Sequence, residues 1–514
     1  MAWIVQPRIL ARGNVRNDTA WPAPAAEQRS AHHTGPVTVS LTKPRATSPW
    51  ISLGVLAMAQ FVLVLDSTVV NVALPSIQNQ FELTEARLAW IPNGYQLAFG
   101  GLLLLGGSLG DLYGRRRLFM IGLALFSGAS FIAGIAWSAD IVIAMRFVQG
   151  VGAAMTAPAA LSSISRIFTE PGERSRALGT WGGITALGGV VGAVLSGVIT
   201  QLASWRWVFF LTVPVTVLAL LLAPRLVPES RAPSKPRLDV VGAALVTLGI
   251  GTAVFTLLDK GQRSWTSPFV LTGLAVAGLL IVAFVLWEKQ RTNPMVPLSI
   301  FRNRNRVVGV VASVIFGSIL STYFFTTTQY MQTVLGFTPL RTGVAYLPLG
   351  LIILVSFPLV SFVVARIGIR PVMPTGLAAG MLGLILLSRI SVDGTYAGDV
   401  LPGMCLIAFA AACGFVTFTI AGVDGTTEEN AGIASGILNA GGQIGSALGL
   451  ATLVSIAVSV LASELAQGVN RSQALVDGFS KAYTVGAGLL LVGAVIAASF
   501  LTRRTTVTES APMM

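Results

Sequence analysis

A hydrocarbon layer about 30 Å thick takes roughly 20 apolar residues of helix to cross. Fourteen runs along the chain meet that requirement: 51–73, 87–108, 117–137, 140–165, 176–201, 207–227 and 239–259, then 268–287, 306–332, 340–365, 369–390, 397–421, 430–462 and 481–502. Backbone groups in lipid must find partners within their own segment or a closed barrel, so continuous runs of this length mean helices. A barrel would instead show alternating strands of about ten residues. The pattern predicts an all-α polytopic membrane protein with fourteen transmembrane helices and no soluble domain between them.

Composition agrees. Only 11% of the 514 residues are charged and 54% are hydrophobic, against about 25% charged in soluble domains. The 55 glycines suit membrane helices, whose packing relies on close backbone approach. A secreted disulfide scaffold, a disordered chain and an ordinary cytosolic enzyme are excluded. Cys405 and Cys413 fall in one apolar run and read as small buried hydrophobes, and His32 and His33 lie in a polar tail. No metal site is expected.

The net charge of +13 would suggest nucleic acid in a soluble protein. Here it marks topology, because basic loops gather on the cytoplasmic side. With the N-terminus cytoplasmic, 25 of the 34 basic residues fall inside, eight fall outside and Arg146 lies within a span. Both termini are therefore expected in the cytoplasm, in a cell (inner or plasma) membrane. Residues 1–50 read as a disordered cytoplasmic tail rather than a cleaved signal. The expected layout is a six-helix bundle over 51–227, two inserted spans with linkers over 228–305, a second six-helix bundle over 306–502 and a short tail over 503–514.

An internal echo supports six plus two plus six. Gly107-Ser-Leu-Gly-Asp111-Leu-Tyr-Gly114-Arg115-Arg116-Arg117 follows the second span, and Ser361-Phe-Val-Val-Ala365-Arg366-Ile-Gly368-Ile-Arg370 follows the tenth. Glycine and the trailing arginine match in offset, with Ala365 in the place of Asp111. Transporters are often built from such repeats.

These motifs resemble the major facilitator superfamily, and within it the fourteen-span drug/proton antiporter family. Gly107, Leu109, Asp111, Gly114 and Arg115 to Arg117 match the superfamily's signature loop between spans 2 and 3. The stretch from Leu65-Asp66 through Asn71 to Pro75 resembles the family's first-span motif, and Arg146-Phe-Val-Gln149-Gly150-Val-Gly152 its fourth-span motif. Glu429 to Gly436, running into Gln443 to Gly449, resembles the segment entering span 13. The span-5 antiporter motif is met only in part, with Ala193 where proline is expected. The resemblance implies two six-helix bundles and a state-dependent gate at Asp111 and the three arginines.

Ionisable groups inside a membrane cost about 2.5–3.5 kcal/mol on insertion scales and are usually functional. Asp66 and Arg146 are the candidates. A carboxyl group in a poorly hydrated cavity holds a proton more readily than one in water, and a nearby cation opposes that. This competition suits proton coupling, while a purely structural ion pair is the other reading. Gln60, Asn71, Asn93, Tyr95, Gln96, Gln149, Tyr323, Phe324, Phe325, Gln329, Tyr330, Asn439 and Gln443 are candidate cavity lining, weakly polar and aromatic as amphipathic cations require. Gly188, Gly192 and Gly197 are expected to form a tight seam between the bundles. No Gly-Lys dipeptide occurs, so the chain holds no phosphate-binding loop of the Gly-Lys-Ser/Thr kind.

The expected function is proton-driven export of hydrophobic or amphipathic compounds by alternating access. The expected partners are a small-molecule substrate, protons and the lipid bilayer, with the proton gradient as energy source, no cofactor, no ATPase subunit and no nucleic acid. Alternatives are a dedicated exporter of a lipid, siderophore or self-made antibiotic, or a proton symporter. A channel or membrane enzyme lacks supporting motifs.

Overall fold

The computed structural model describes residues 48–231, 238–260, 263–291, 294–426 and 428–502. Both tails, with His32 and His33, lie outside the described residues. Fourteen helices are long and apolar enough to cross a membrane: α1 Pro49–Phe81, α2 Glu85–Tyr113, α3 Arg115–Gly134, α4 Ala139–Ile167, α5 Gly172–Leu202, α6 Arg206–Leu226, α7 Val240–Leu258, α8 Pro268–Gln290, α9 Arg304–Val334, α10 Pro339–Ile367, α11 Ile369–Leu387, α12 Tyr396–Gly422, α13 Ala431–Ala466 and α14 Arg471–Phe500. Several outrun their apolar runs. The first continues through Gln78, Asn79 and Gln80, because a helix satisfies its backbone in water as well as in lipid. Among the described residues, an even number of crossings puts the start of α1 and the end of α14 on one side, here called the termini face; the other is the far face.

The two halves repeat one packing plan. In the first half α1 packs on α5, α2 on α4, α3 on α4 and α3 on α6. In the second, α9 packs on α13, α10 on α12, α11 on α12 and α11 on α14. The echo seen in the sequence is structural too: Gly114 opens α3 at φ +108° and Gly368 opens α11 at φ +79°. Both lie in the left-handed region, where glycine avoids the steric penalty of a side chain. The chain is thus two six-helix bundles with α7 and α8 inserted between them.

The inserted pair is asymmetric. Ile250, Val254 and Leu257 of α7 join one apolar cluster with Leu97 of α2 and with Ala447, Leu450 and Val454 of α13, so this helix touches both bundles. α8 packs mainly on α7 and is the least buried span.

The bundles meet at the far face. Gln329 donates from Nε2 to Gln78 Oε1 at 2.6 Å, and Gln332 donates to the Val72 carbonyl at 2.9 Å. Arg471 reaches Glu85 at 2.7 Å, and the Leu340 N–H reaches Gln201 at 3.1 Å. Midway, Gln96 donates to Ser321 at 2.9 Å. Toward the termini face α5 stands clear: no atom of another element lies within 4 Å of where a Cβ would begin at Gly172, Gly179, Gly182 or Gly183. The bundles are joined at the far face; toward the termini face α5 is clear of its neighbours at these glycines, while Leu104 of α2 still meets Gly436 of α13.

The expected glycine seam divides. Gly188 faces Phe61 and Val64, and Gly192 faces Thr68 and the Leu65 carbonyl, all on α1 of the same bundle. Of the three, only Gly197 meets the other bundle, at Pro339, Leu340 and Gly343. α5 leans on α1 along its length and reaches α10 only near the far face, which corrects the placement of Gly188 and Gly192 between bundles.

Close approach at α2 is tighter still: a Cβ at Gly106 would lie 2.0 Å from the Ala154 carbonyl oxygen, whereas Gly128 has nothing within 4 Å. Gly106→Leu should therefore cost at least about 3 kcal/mol, the upper part of the overpacking range, because backbone cannot step aside. Gly128→Ala should be neutral or slightly stabilising. Thermal midpoints of the two purified variants, compared at equal membrane expression, check the contrast.

Candidate functional site

Asp66 lies just beyond the middle of α1, and Arg146 two turns into α4. The pairing of α1 with α4 brings them together, at 1% exposure each. Arg146 Nη1 donates to Asp66 Oδ2 at 2.5 Å and to Gln149 Oε1 at 2.9 Å. Its Nε donates to the Ile91 carbonyl at 3.1 Å, and its guanidinium stands 4.5 Å from the Tyr95 ring centre. Gln149 Nε2 donates to Asp66 Oδ1 at 3.1 Å and to Ser130 Oγ at 2.7 Å. Arg146 is therefore not snorkelling to an interface. The arrangement closes both carboxylate oxygens and leaves the guanidinium three further partners.

That redundancy has a chemical consequence. Proton uptake by Asp66 would cancel its charge and loosen the pair, yet Arg146 would keep a carbonyl, an amide oxygen and an aromatic face. A buried cation usually suffers badly when its counter-ion is lost. Here the cage softens that loss.

The signature loop closes on its own bundle. Asp111 accepts from Arg115 at 2.6 Å. The Arg116 N–H donates to Glu229 Oε1 at 3.2 Å, and the side chains of Arg116 and Arg117 lie 3.8 and 4.0 Å from Glu229 Oε2. Gly107 faces Pro158, at a distance where a Cβ would make an ordinary 3.8 Å contact. In this conformation the contacts of these residues stay within the first bundle and the segment that follows it. Glu229, which follows α6, was not foreseen; its acidic side chain among seven basic residues between 225 and 237 and at 115–117 was the available signal.

The thirteen cavity candidates scatter. Gln60, Asn71, Gln96, Phe324 and Gln443 are half-buried and Asn439 is exposed. Asn93, Tyr95, Gln149, Tyr323, Phe325, Gln329 and Tyr330 are buried instead. Tyr95 and Gln149 belong to the Asp66 cage, Phe325 and Tyr330 to the packing core, and Gln329 to the far-face closure. Asn93 keeps both amide atoms buried and unpartnered, as does the Tyr323 hydroxyl. Alternation of polar and apolar residues on a helix does not tell a cavity wall from a helix–helix contact. The far-face residues Gln78, Glu85 and Arg471 were also missed, since each looks like an ordinary loop-end residue. They line a vestibule of about 460 Å³ with Asn79, Glu82 and Gln329.

Cys413 is buried and Cys405 half-buried, both unpaired on α12.

Comparison with known proteins agrees with this geometry. The family model of the Major Facilitator Superfamily matches residues 56–450. The puromycin resistance protein of Streptomyces alboniger is 36% identical, the match covering 89% of this chain and 92% of that protein. The lincomycin resistance protein of Streptomyces lincolnensis is 35% identical, with 88% and 91% covered. The multidrug resistance protein Stp of Mycobacterium tuberculosis is 33% identical, with 80% and 76% covered. Among solved structures, the peptide-family transporter PepTSo superposes with a TM-score of 0.67 over 88% of this chain and 97% of its own, at 13% identity. A bacterial homolog of the human lysosomal transporter Spinster, in an inward-facing and unoccupied conformation, gives 0.61 over 88% and 96%, at 14% identity. With the repeated six-helix plan, the signature loop and the family match over most of its length, this chain belongs to the major facilitator superfamily.

Proposed function

We propose that the protein is a proton-coupled exporter of hydrophobic or amphipathic compounds, working by alternating access in a cell membrane. The termini face is assigned to the cytoplasm, because the Arg115–Arg117 turn and most other basic residues lie there. The conformation joined at the far face then presents the clear flank of α5 to cytoplasmic cargo. Relatives named for resistance to puromycin, lincomycin and multiple drugs support outward transport of small organic molecules.

The single observation that carries the coupling is the buried Asp66–Arg146 pair with its cage. Cargo and proton alternate because each favours a different state of that pair: ionised and locked, or protonated and loose. Energy comes from the proton gradient, with no cofactor and no ATPase subunit. Asp111 and Arg115 to Arg117 act as the cytoplasmic gate, exchanging the Glu229 contacts when the bundles close there. The half-buried Gln60, Asn71, Gln96, Phe324 and Gln443 serve as the cavity wall.

A narrower cargo range is the second reading, favoured by the two relatives named for single antibiotics. Efflux into inverted vesicles with a panel of dyes and antibiotics, with and without an acid interior, tests both: broad acceptance supports multidrug export, and transport indifferent to the gradient refutes coupling.

Asp66→Asn should abolish gradient-driven uptake into inverted vesicles while cargo binding persists. It should also lower stability, by less than the about 3–5 kcal/mol usual for breaking a buried pair because Arg146 keeps its other partners, so rates must be normalised to folded protein. Gradient-driven uptake at the wild-type rate removes Asp66 from coupling.

For the gate, Asp111→Asn should slow turnover at saturating cargo about tenfold, equivalent to about 1.4 kcal/mol of transition-state stabilisation. Cargo affinity should hold. A fall in affinity with unchanged turnover contradicts the gating role.

Gln78→Cys with Gln329→Cys places two thiols at the far-face closure. Oxidation should lock the opening to the cytoplasm and stop transport, and reduction should restore it. Transport unaffected by a verified disulfide would mean that this contact need not open.

A further inference from the structure

A second buried acid pair lies away from the Asp66 cage, where the inserted helices reach the termini face. Asp239 caps the start of α7 and Glu288 occupies the last turn of α8, at 9% and 2% exposure. Asp239 Oδ1 accepts from the Gly242 N–H and from Trp287 Nε1, each at 2.9 Å. Glu288 Oε2 accepts from the Val296 N–H at 3.1 Å. The remaining oxygens, Asp239 Oδ2 and Glu288 Oε1, are buried and accept no hydrogen bond, with the Met295 N–H beside Glu288. They flank one point: a Cβ at Gly242 would lie 2.5 Å from the first and 3.0 Å from the second. The two oxygens therefore lie at most about 5.5 Å apart.

Two ionised carboxylates do not sit side by side in a buried site, and buried polar atoms seldom stay unpartnered. One proton between them resolves both difficulties, since the protonated acid becomes the missing donor. We propose that Asp239 and Glu288 share a single proton, and that this proton clamps α7 and α8 to the segment 294–302 lying against both bundles.

The surroundings say where the proton sits. Burial alone would make Asp239 hold a proton more tightly, but the Gly242 and Trp287 hydrogen bonds, Glu288 and the Arg291 charge together hold its carboxyl below the usual range. Asp239 is the ionised member and Glu288 carries the proton. Arg291 also stacks over the Trp287 ring at 3.9 Å. The other neighbours are apolar: Val296 and Ile300 of the segment pack with Leu104 of α2, Phe284 of α8, Val310 of α9, and Ile433 and Ile437 of α13. The Val296 N–H bond to Glu288 therefore ties the proton to a wedge that touches α2 on one side and α9 and α13 on the other. Raising the pH removes the proton, sets two negative charges together and loosens the wedge. Lowering it restores the clamp.

Glu288→Gln separates the clamp from its titration, because the amide keeps a donor toward Asp239 and an acceptor for Val296 but cannot ionise. Full-length protein in lipid nanodiscs should show an infrared carboxylic-acid band that Glu288→Gln removes at neutral pH and Asp66→Asn leaves. Hydrogen exchange over residues 287–302, corrected for intrinsic chemistry, should rise at least about tenfold as wild type is made alkaline and stay flat in Glu288→Gln. A band untouched by Glu288→Gln, or equal alkaline loosening in the variant, overturns the proposal. If the variant does not fold, wild type alone decides: loss of the band must coincide with faster exchange, and exchange unchanged by alkali refutes the clamp.

Discussion

Helices in lipid gain nothing from hiding apolar side chains from solvent, because the solvent is apolar too; close backbone approach must hold them together. This fold depends on that constraint throughout. Gly106 lets α2 rest on the Ala154 carbonyl, Gly445 lets α13 rest on the Val314 carbonyl, and Gly192 admits Thr68. The glycine excess in the composition is spent on these contacts, mostly inside each bundle. Between bundles the contacts combine amides and one ion pair at the far face and the Gly197–Gly343 touch with an apolar join of α2 and α13, where Gly100 meets Gln443 and Ile444 and Gly436 meets Leu104.

The same economy governs charge. The ionisable groups deep in the bundles are few, and each has an answering group. Asp66 has Arg146 and Gln149, with Tyr95 and the Ile91 carbonyl behind them. Low dielectric makes such pairs costly to break and sensitive to a single proton. The cage leaves the Arg146 guanidinium further partners besides Asp66. The signature loop follows the same logic at the membrane edge, where Asp111 and Glu229 balance three arginines.

The inserted helices take their meaning from position. α7 fills the groove between α2 and α13, and α8 covers α7 from the lipid side. Their chain connection to the second bundle runs over the termini-face end of the same groove, with Val296 and Ile300 buried. The insertion is thus attached to α2 of one bundle and to α9 and α13 of the other.

Fourteen helices, the six-two-six plan, the intramembrane charges Asp66 and Arg146 and the Gly107–Arg117 turn were legible in the sequence. Each is a one-dimensional signal: apolar length, charge where none is tolerated, and a turn that repeats as Gly114 and Gly368. Which side of a helix faces a neighbour is not such a signal. Gln329 and Gln60 read alike along the chain, yet one joins the bundles and the other is half-buried within its own. Gly192 and Gly197 are five residues apart on one helix and meet different bundles. Glu85 with Arg471, Arg116 with Glu229, and Asp239 with Glu288 are distant in sequence, and only the tertiary structure pairs them. Helix formation in lipid is dictated by local hydrogen bonding; partner choice depends on how whole bundles pack.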